Sequence, residues 1–191
     1  MSIWYVGVGS NIRPKRNIRL AARLLIGHPL IRLTGSSTFY RTEAVGAPGA
    51  PDFLNGVFEL RTEMPHADLE DALAVIETAS GRQRSEHGYA PRTLDLDILV
   101  WRAEPSDAWQ PEGGSGPQHR DVRERAFVAV PLYEVAGDIR LEPDGSALGH
   151  VAASFAPGWG SAQRLFSHRI RRLLTASGEA ICTLDACPKP D

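Results

Sequence analysis

Two aspartates alternate with large apolar residues at positions 92–100, which read RTLDLDILV. Because successive side chains of a β-strand point to opposite faces, Asp95 and Asp97 would share one face while Leu96 packs on the other. Two like charges about 7 Å apart along a strand need a compensating cation, either an arginine or a metal ion. The segment therefore predicts a strand that presents either a metal site or a pair of carboxylates in surface salt bridges.

Arginines that could act with these carboxylates come just before the strand. Arg82, Arg84 and Arg92 belong to a basic segment, residues 81–92, that also contains glycine and proline. A guanidinium group matches phosphate oxygens, and Mg²⁺ commonly joins one or two carboxylates to substrate phosphates. The combination indicates phosphate chemistry with a hard cation. The segment is either a mobile lid over a triphosphate or an exposed linker, and composition alone favours the linker.

A second group of polar and aromatic residues flanks a predicted loop at residues 42–52, which is rich in glycine and proline. Thr42 is the first residue of this loop, and Phe53 and Asn55 follow it. The amide of an asparagine offers both a donor and an acceptor to the edge of a planar heterocycle. Phe53 could equally be a core residue, and Asn55 could simply satisfy a turn.

Hydrophobic periodicity predicts the elements that would position these residues. They are a strand at 3–8, a helix at Pro14–Ile26, a strand at 31–41 bulged near Gly35, a strand at 53–61, a helix at 65–80 and the aspartate strand. This order is the split βαβ pattern of a ferredoxin-like α+β domain with an antiparallel sheet. Both helices would cover one face of the sheet and leave the other face for a ligand.

The last third of the chain is less regular. Residues 102–117 predict a loop because of their glycines and prolines. Residues 121–130 predict a short helix that ends at Pro131, and residues 132–136 predict its continuation. We expect one domain at residues 1–153, with additional C-terminal elements. We expect residues 154–191 to form an extension that is partly helical or disordered.

Composition limits the classes of function. The 191 residues fit one domain, and a net charge of −2 provides no general attraction to nucleic acid or to an anionic membrane. No apolar run is long enough to span a bilayer, and the first residues do not resemble a signal peptide. We therefore expect a cytoplasmic protein with neither nucleic-acid nor membrane partners. The two cysteines, Cys182 and Cys187, are expected to be free thiols.

Taken together, the motifs resemble those of the 6-hydroxymethyl-7,8-dihydropterin pyrophosphokinases of folate biosynthesis. The resemblance extends from residue 3 to residue 136, and the most specific motif is the segment at 91–99. The matching motifs, in order, are GVGSN at 7–11, YRT at 40–42, PDFLN at 51–55, IE at 76–77, GR at 81–82, APRTLDLDIL at 90–99, RAFV at 125–128 and PL at 131–132.

The resemblance implies a fold, a reaction and a set of site residues. It implies a ferredoxin-like core and the Mg²⁺-dependent transfer of pyrophosphate from ATP to the hydroxymethyl oxygen of the pterin, which leaves AMP. The protein would be a monomer with small-molecule substrates. The implied residues are Asp95 and Asp97 for two Mg²⁺ ions, Arg82 and Arg92 for catalysis, Thr42, Val45, Phe53, Asn55 and Phe127 for the pterin, and Glu77, Arg84, Ile98, His119 and Arg125 for ATP.

The sequence also departs from the family pattern in ways that leave alternatives open. Gly88 stands where many members have a charged residue, and the segment at 102–118 replaces the family's Pro-His-Pro-like turn before His119. A catalytically weak, regulatory protein that binds pterin or nucleotide is the main alternative. An interaction domain without a small-molecule site is the third, and it would require that Asp95→Asn be tolerated.

Overall fold

The computed structural model describes residues 1–46, 49–82, 92–103, 110–111, 117–141 and 144–155. The strands are β1 (Ser2–Ser10), β2 (Arg32–Ser36), β3 (Tyr40–Thr42), β4 (Phe53–Thr62), β5 (Asp95–Ala103), β6 (Gln110–Pro111), β7 (Arg140–Leu141) and β8 (Ser146–Ala147). The helices are α1 (Pro14–Ile26), α2 (His66–Ala79), α3 (Pro117–Glu124), α4 (Ala126–Val135) and α5 (Leu148–Ser154). None of the described helices is both long enough and apolar enough to cross a bilayer.

An antiparallel sheet with the order β2-β4-β1-β5-β6 forms the centre of the molecule, and β3 pairs with β4 beyond the end of β2. In this sheet Gly9 of β1 lies between Asn55 of β4 and Asp95 of β5. Two residues earlier in β1, Gly7 pairs with Asp97. The sheet thus places the aspartates of β5 on one side of the glycine-containing strand β1 and Asn55 of β4 on the other.

The predicted strand at 31–41 is divided into β2 and β3, and the expected bulge is present. The register between β2 and β4 shifts between Leu33 and Gly35. Between the two strands, Ser37 donates its main-chain N–H to the carbonyl of Val57, at 2.9 Å. The hairpin therefore follows β4 for its whole length, and β3 ends at Thr42, directly opposite Phe53.

The first core lies between one face of the sheet and helices α1 and α2. Alternate residues of β1, among them Trp4, Val6 and Val8, pack there together with Leu96 and Ile98 of β5. Helices α1 and α2 present an apolar stripe to this face and, with the exception of the buried Glu77, direct most of their charged residues outwards, as the helical periodicity predicts.

The opposite face is not left open along its whole length, which corrects our expectation. Ile3, Tyr5 and Val57 form a second apolar surface, and Leu132 of α4 and Leu148 of α5 pack against it. An apolar sheet face must be buried against another element, and α3, α4 and α5 supply the cover. Within the part of the chain that the structure describes, the region of this face around Gly7 and Gly9 lines a pocket that a ligand can enter.

Two local predictions in the last third of the chain were wrong. The helix predicted at 121–130 is divided at Arg125 into α3 and α4. The continuation predicted at 132–136 is present to Val135, because Pro131 and Leu132 are buried and packing outweighs the lost helical hydrogen bond. The segment at 102–117 is not a loop throughout, since β5 extends to Ala103 and β6 pairs with it. Residues 156–191, which make up most of the predicted extension, lie outside the described residues.

Candidate active site

Asp95 and Asp97 lie on one face of β5, and the apolar residues between and beyond them lie on the other, as the alternation predicts. Their neighbours on β1 are the glycines at positions 9 and 7. A Cβ atom at Gly9 would come within 2.9 Å of Asn55 Oδ1 and 3.8 Å of Asp95 Cβ. The missing side chains of β1 therefore make room for a concave site in front of both aspartates.

This site is a pocket of about 310 Å³, a size within the usual range for small-molecule sites. It brings together nine of the residues implied by the resemblance. These are Thr42, Val45, Phe53, Asn55, Arg92, Asp95, Asp97, Arg125 and Phe127.

One end of the pocket combines a fixed amide with aromatic side chains. Asn55 donates a hydrogen bond from Nδ2 to Thr42 Oγ1, at 2.8 Å, so the orientation of its amide is set by β3. Phe53 and Phe127 are half-buried in the pocket wall, and Val45 is exposed beside them. Aromatic faces beside an oriented amide can bind a flat, polar heterocycle.

The other end is a network of carboxylates and arginines centred on Asp95. Arg82 contacts Asp95 Oδ1 at 2.7 Å, and Arg92 pairs with Asp95 Oδ2. Arg82 also pairs with Glu77, a buried residue of α2 that accepts a hydrogen bond from the main-chain N–H of Leu96, at 2.7 Å. The salt bridges that the sequence left as an alternative for Asp95 are therefore present, and they are formed by the same arginines proposed to bind phosphate.

The electrostatics of the network oppose the ionised form of two carboxyls. Burial raises the pKa of Glu77, although the Leu96 N–H and Arg82 counteract this effect. Desolvation, together with repulsion from Asp95 and Glu77, raises the pKa of Asp97 to about 7. The Asp97 side chain is accessible from the pocket, so a ligand that carries positive charge can stabilise its ionised carboxylate.

The donor set suits a hard cation that shares its ligands with a substrate. Among the described residues, no cluster of three or more histidines, cysteines, aspartates or glutamates forms a complete metal site. Asp95 and Asp97 would supply only part of a coordination shell. That is the usual situation for Mg²⁺, which takes its other oxygen ligands from water and substrate phosphates. The residues present therefore fit Mg²⁺ bound together with a polyphosphate.

Several implied residues are not brought into the pocket. Ile98 is 3% exposed and packs in the first core, so its side chain faces away from Asp97. Glu77 lies behind Asp95 and reaches the site through Arg82. Only the main chain of His119 is described, within α3. Arg84 lies outside the described residues.

Two features of the pocket were missed by sequence reasoning. The first is the floor formed by Gly7 and Gly9, which belong to the GVGSN motif but are not among the implied site residues. The second is Asp121, which lines the pocket with its Oδ1 atom 3.8 Å from Nε of Arg125. The four-residue spacing of Asp121 and Arg125 is a signal for a helical ion pair, although α3 ends just before Arg125.

Comparisons with known proteins agree with the geometry. A family model described as 7,8-dihydro-6-hydroxymethylpterin-pyrophosphokinase (HPPK) matches residues 5–137. A 2-amino-4-hydroxy-6-hydroxymethyldihydropteridine pyrophosphokinase of Pseudomonas aeruginosa is 38% identical over 151 residues, which are 78% of this chain and 90% of that protein. A protein of the same name from Methylorubrum extorquens is 43% identical over 138 residues, 71% of this chain and 83% of its own.

A solved structure also shares the fold. The crystal structure of an HPPK-DHPS in complex with substrates matches 90% of this chain with a TM-score of 0.56 and 14% sequence identity. The match covers 46% of the longer chain in that crystal structure. At this level of identity the likeness concerns the fold alone.

Proposed function

We propose the following reaction because this chain belongs to the 7,8-dihydro-6-hydroxymethylpterin-pyrophosphokinase family. The chain is an enzyme, a diphosphokinase of folate biosynthesis. It transfers pyrophosphate from ATP to the hydroxymethyl group of 6-hydroxymethyl-7,8-dihydropterin and releases AMP. The observation that carries this proposal is a single pocket with an aromatic, amide-bearing end and a carboxylate end supplied with arginines.

The aromatic end would bind the pterin. Phe53 and Phe127 would pack on the faces of the bicyclic ring, and Asn55 would pair with its edge while Thr42 holds the amide in place. Val45, at the pocket mouth, would shield the ring from water. Because the amide is already oriented, little rotamer entropy would be lost when the pterin binds.

The carboxylate end would bind the triphosphate. Two Mg²⁺ ions held by Asp95 and Asp97 would neutralise the phosphates and make the attacking hydroxyl more acidic. Arg82 and Arg92 would exchange Asp95 for phosphate oxygens and stabilise the charge of the transferring group. Glu77 would keep Arg82 oriented during this exchange. A reaction of this type asks the protein mainly for positioning and charge neutralisation.

The remaining ATP contacts belong to the same proposal. Arg125 is the residue immediately before α4. It lines the pocket and would contact the nucleotide. Arg84 and His119 would do the same. Ile98 would contribute its main chain, because its side chain is in the core.

We also infer a ferredoxin-like core, which is supported by the order β2-β4-β1-β5 and by two helices packed on one face. The monomeric state, the cytoplasmic location and the absence of nucleic-acid and membrane partners stay predictions. Sedimentation velocity at micromolar concentration tests the first of these.

The product of one incubation tests the reaction. The protein is mixed with 6-hydroxymethyl-7,8-dihydropterin, ATP and Mg²⁺, and the nucleotides are separated by chromatography. AMP is the expected product, and chelation of Mg²⁺ should stop its formation. ADP as the product would refute pyrophosphoryl transfer.

Substitutions test the metal residues. Asp95→Ala and Asp97→Ala should abolish AMP formation and leave the circular dichroism spectrum unchanged. Asp71→Ala, on the exposed side of α2, is the matched control and should retain full activity. Pterin binding by the wild-type protein without AMP formation would instead favour the regulatory alternative.

A further inference from the structure

Asn11, in the turn between β1 and α1, joins two distant segments of the chain through one buried side chain. Its side chain is buried, with 6% of the residue exposed. Asn11 Oδ1 accepts a hydrogen bond from the main-chain N–H of Arg92, at 2.7 Å. Asn11 Nδ2 donates to the carbonyl of Pro51, at 3.2 Å. The main-chain N–H of Asn11 also donates to the carbonyl of Arg92, at 3.1 Å, so both peptide groups of Arg92 are held by this residue.

The two segments that Asn11 joins carry the two ends of the pocket. Pro51 comes two residues before Phe53, where β4 begins, and β4 also carries Asn55. Arg92 contacts Asp95 and lines the pocket. Asn11 itself follows directly from the glycine floor of β1. Beyond the strand pairing of β1 with β4 and β5, the Asn11 amide thus adds a direct side-chain connection between the aromatic end and the arginine end.

Only a side chain with both a donor and an acceptor at this distance can make the connection. An aspartate could accept from the Arg92 N–H but could not donate to the Pro51 carbonyl. An alanine would leave the Arg92 N–H and the Pro51 carbonyl without these partners, and each of the two lost hydrogen bonds is partly buried. Asparagine at this position is thus explained by the connection and not merely by the turn.

We propose that Asn11 is a positioning residue for pyrophosphoryl transfer, which keeps Arg92 in register with Phe53 and Asn55. The inference rests on the proposed function, because it concerns the spacing between the pterin and the transferring phosphate. Group transfer depends steeply on the alignment of the reacting atoms, whereas binding of each substrate alone depends mainly on its own end of the pocket. Loss of the connection should therefore lower kcat more than it raises either KM.

Kinetics of Asn11→Ala and Asn17→Ala test the proposal. Asn17 is the matched control because it is also a buried asparagine, 5% exposed, and its Nδ2 donates to Ile12 of the same turn, at 2.7 Å. Asn11→Ala should lower kcat about tenfold or more and change either KM by a smaller factor. Asn17→Ala should lose stability but keep kcat within about twofold. Equal loss of kcat in both variants, or no loss in Asn11→Ala, would overturn the proposal.

Hydrogen exchange of the Arg92 amide gives a second result that does not require activity. By NMR, this amide should be protected in the wild type, in Asn17→Ala and in Asn11→Asp, which retains the acceptor. It should lose protection in Asn11→Ala. Equal exchange in the wild type and Asn11→Ala would refute the anchoring of Arg92. Failure of the wild type to make AMP would instead refute the proposed function. The exchange result would still show whether the Asn11 side chain holds the Arg92 N–H. Asn11→Asp, which keeps the side-chain volume, ensures that the comparison does not depend on one variant folding.

Discussion

At the scale of single residues, the proposed function requires that the charge on Asp95 be compensated differently in the free protein and in the substrate complex. In the free protein each of its carboxylate oxygens has an arginine partner, Arg82 on one side and Arg92 on the other. A triphosphate with its Mg²⁺ ions would take over both roles, because the metal compensates Asp95 and the phosphates compensate the arginines. The exchange keeps every buried charge paired, which avoids the large cost of an isolated one.

The raised pKa of Asp97 predicts how the free energy of unfolding depends on pH. Its pKa is raised from 3.8 to about 7, so between these values the folded protein holds a proton that the unfolded chain releases. The free energy of unfolding should therefore fall as the pH rises from 4 towards 7. Asp97→Asn should remove this part of the fall and make the metal-free protein more stable than the wild type at pH 8. Urea unfolding at pH 5 and pH 8 measures both effects.

The control for this experiment is Asp71→Asn, which changes an exposed aspartate of α2. Its stability difference between pH 5 and pH 8 should equal that of the wild type. If Asp97→Asn also shows the wild-type difference, repulsion and desolvation at Asp97 do not affect stability.

Gly9 predicts an effect on pterin binding through Asn55. A Cβ atom at Gly9 would lie 2.9 Å from Asn55 Oδ1, so Gly9→Ala should rotate the amide and break its bond to Thr42. We expect the KM for the pterin to rise about tenfold, because one oriented hydrogen-bonding group is lost. Steady-state kinetics at saturating ATP measure this change.

Gly27→Ala is the matched control. The nearest atom to its added Cβ would be 3.4 Å away, and the backbone φ of −79° is ordinary for alanine. The pterin KM should stay at the wild-type value. An unchanged KM in Gly9→Ala as well would contradict the assignment of Asn55 to the pterin.

At the scale of elements, helix α4 is joined to the β2–β4 hairpin by Glu134. One oxygen of Glu134 accepts from the main-chain N–H of Thr38, at 2.7 Å, and the other accepts from the hydroxyl of buried Tyr40. Phe127 lies near the start of the same helix, and Thr42 ends the same strand as Tyr40. This contact therefore sets the distance between two walls of the pocket.

A double-mutant cycle measures the strength of this connection. Tyr40→Phe and Glu134→Ala should each lower the free energy of unfolding by about 1–3 kcal/mol, since each removes a hydrogen bond between partly buried groups. The double variant should lose less than the sum, because both changes remove the same contact. Urea unfolding of the four proteins gives the coupling energy. Additive losses would show that the two side chains do not stabilise each other.

At the scale of the whole molecule, the sheet is buried on both faces by helices from different parts of the chain. Helices α1 and α2 cover one face, and α3, α4 and α5 cover the other. Leu148 of α5 is fully buried, so the second core extends to the last described helix. The structure thus supports treating α5 as part of the folded unit that contains the pocket.

Truncation tests the predicted domain boundary. A chain that ends at residue 155 should keep the unfolding midpoint and the AMP-forming activity of the full chain, because both cores are retained. A chain that ends at residue 147 should be less stable by about 3 kcal/mol or more, since it loses the buried Leu148 and the cover of the second core. Urea unfolding compares the three proteins. A large loss of stability in the chain that ends at residue 155 would place residues 156–191 within the domain.

The sequence by itself determined the features that depend on residues close to one another along the chain. The alternation at 92–100 sufficed to place Asp95 and Asp97 on one face, and the helical periodicity sufficed for α1 and for most of α2. The family motifs named most of the residues that line the pocket. Each of these rests on local periodicity or on short motifs, which a chain carries in linear order.

Only the tertiary structure decided which groups neutralise each other and which faces are covered. The continuation of α4 through Pro131 depends on burial in a core built from β1, β4 and β5. The hydrogen bonds of Asn11 join residues that are 40 and 81 positions away. Spacing along the chain carries no information about such pairs, because the folding of the sheet, and not the distance in sequence, brings them within hydrogen-bonding distance.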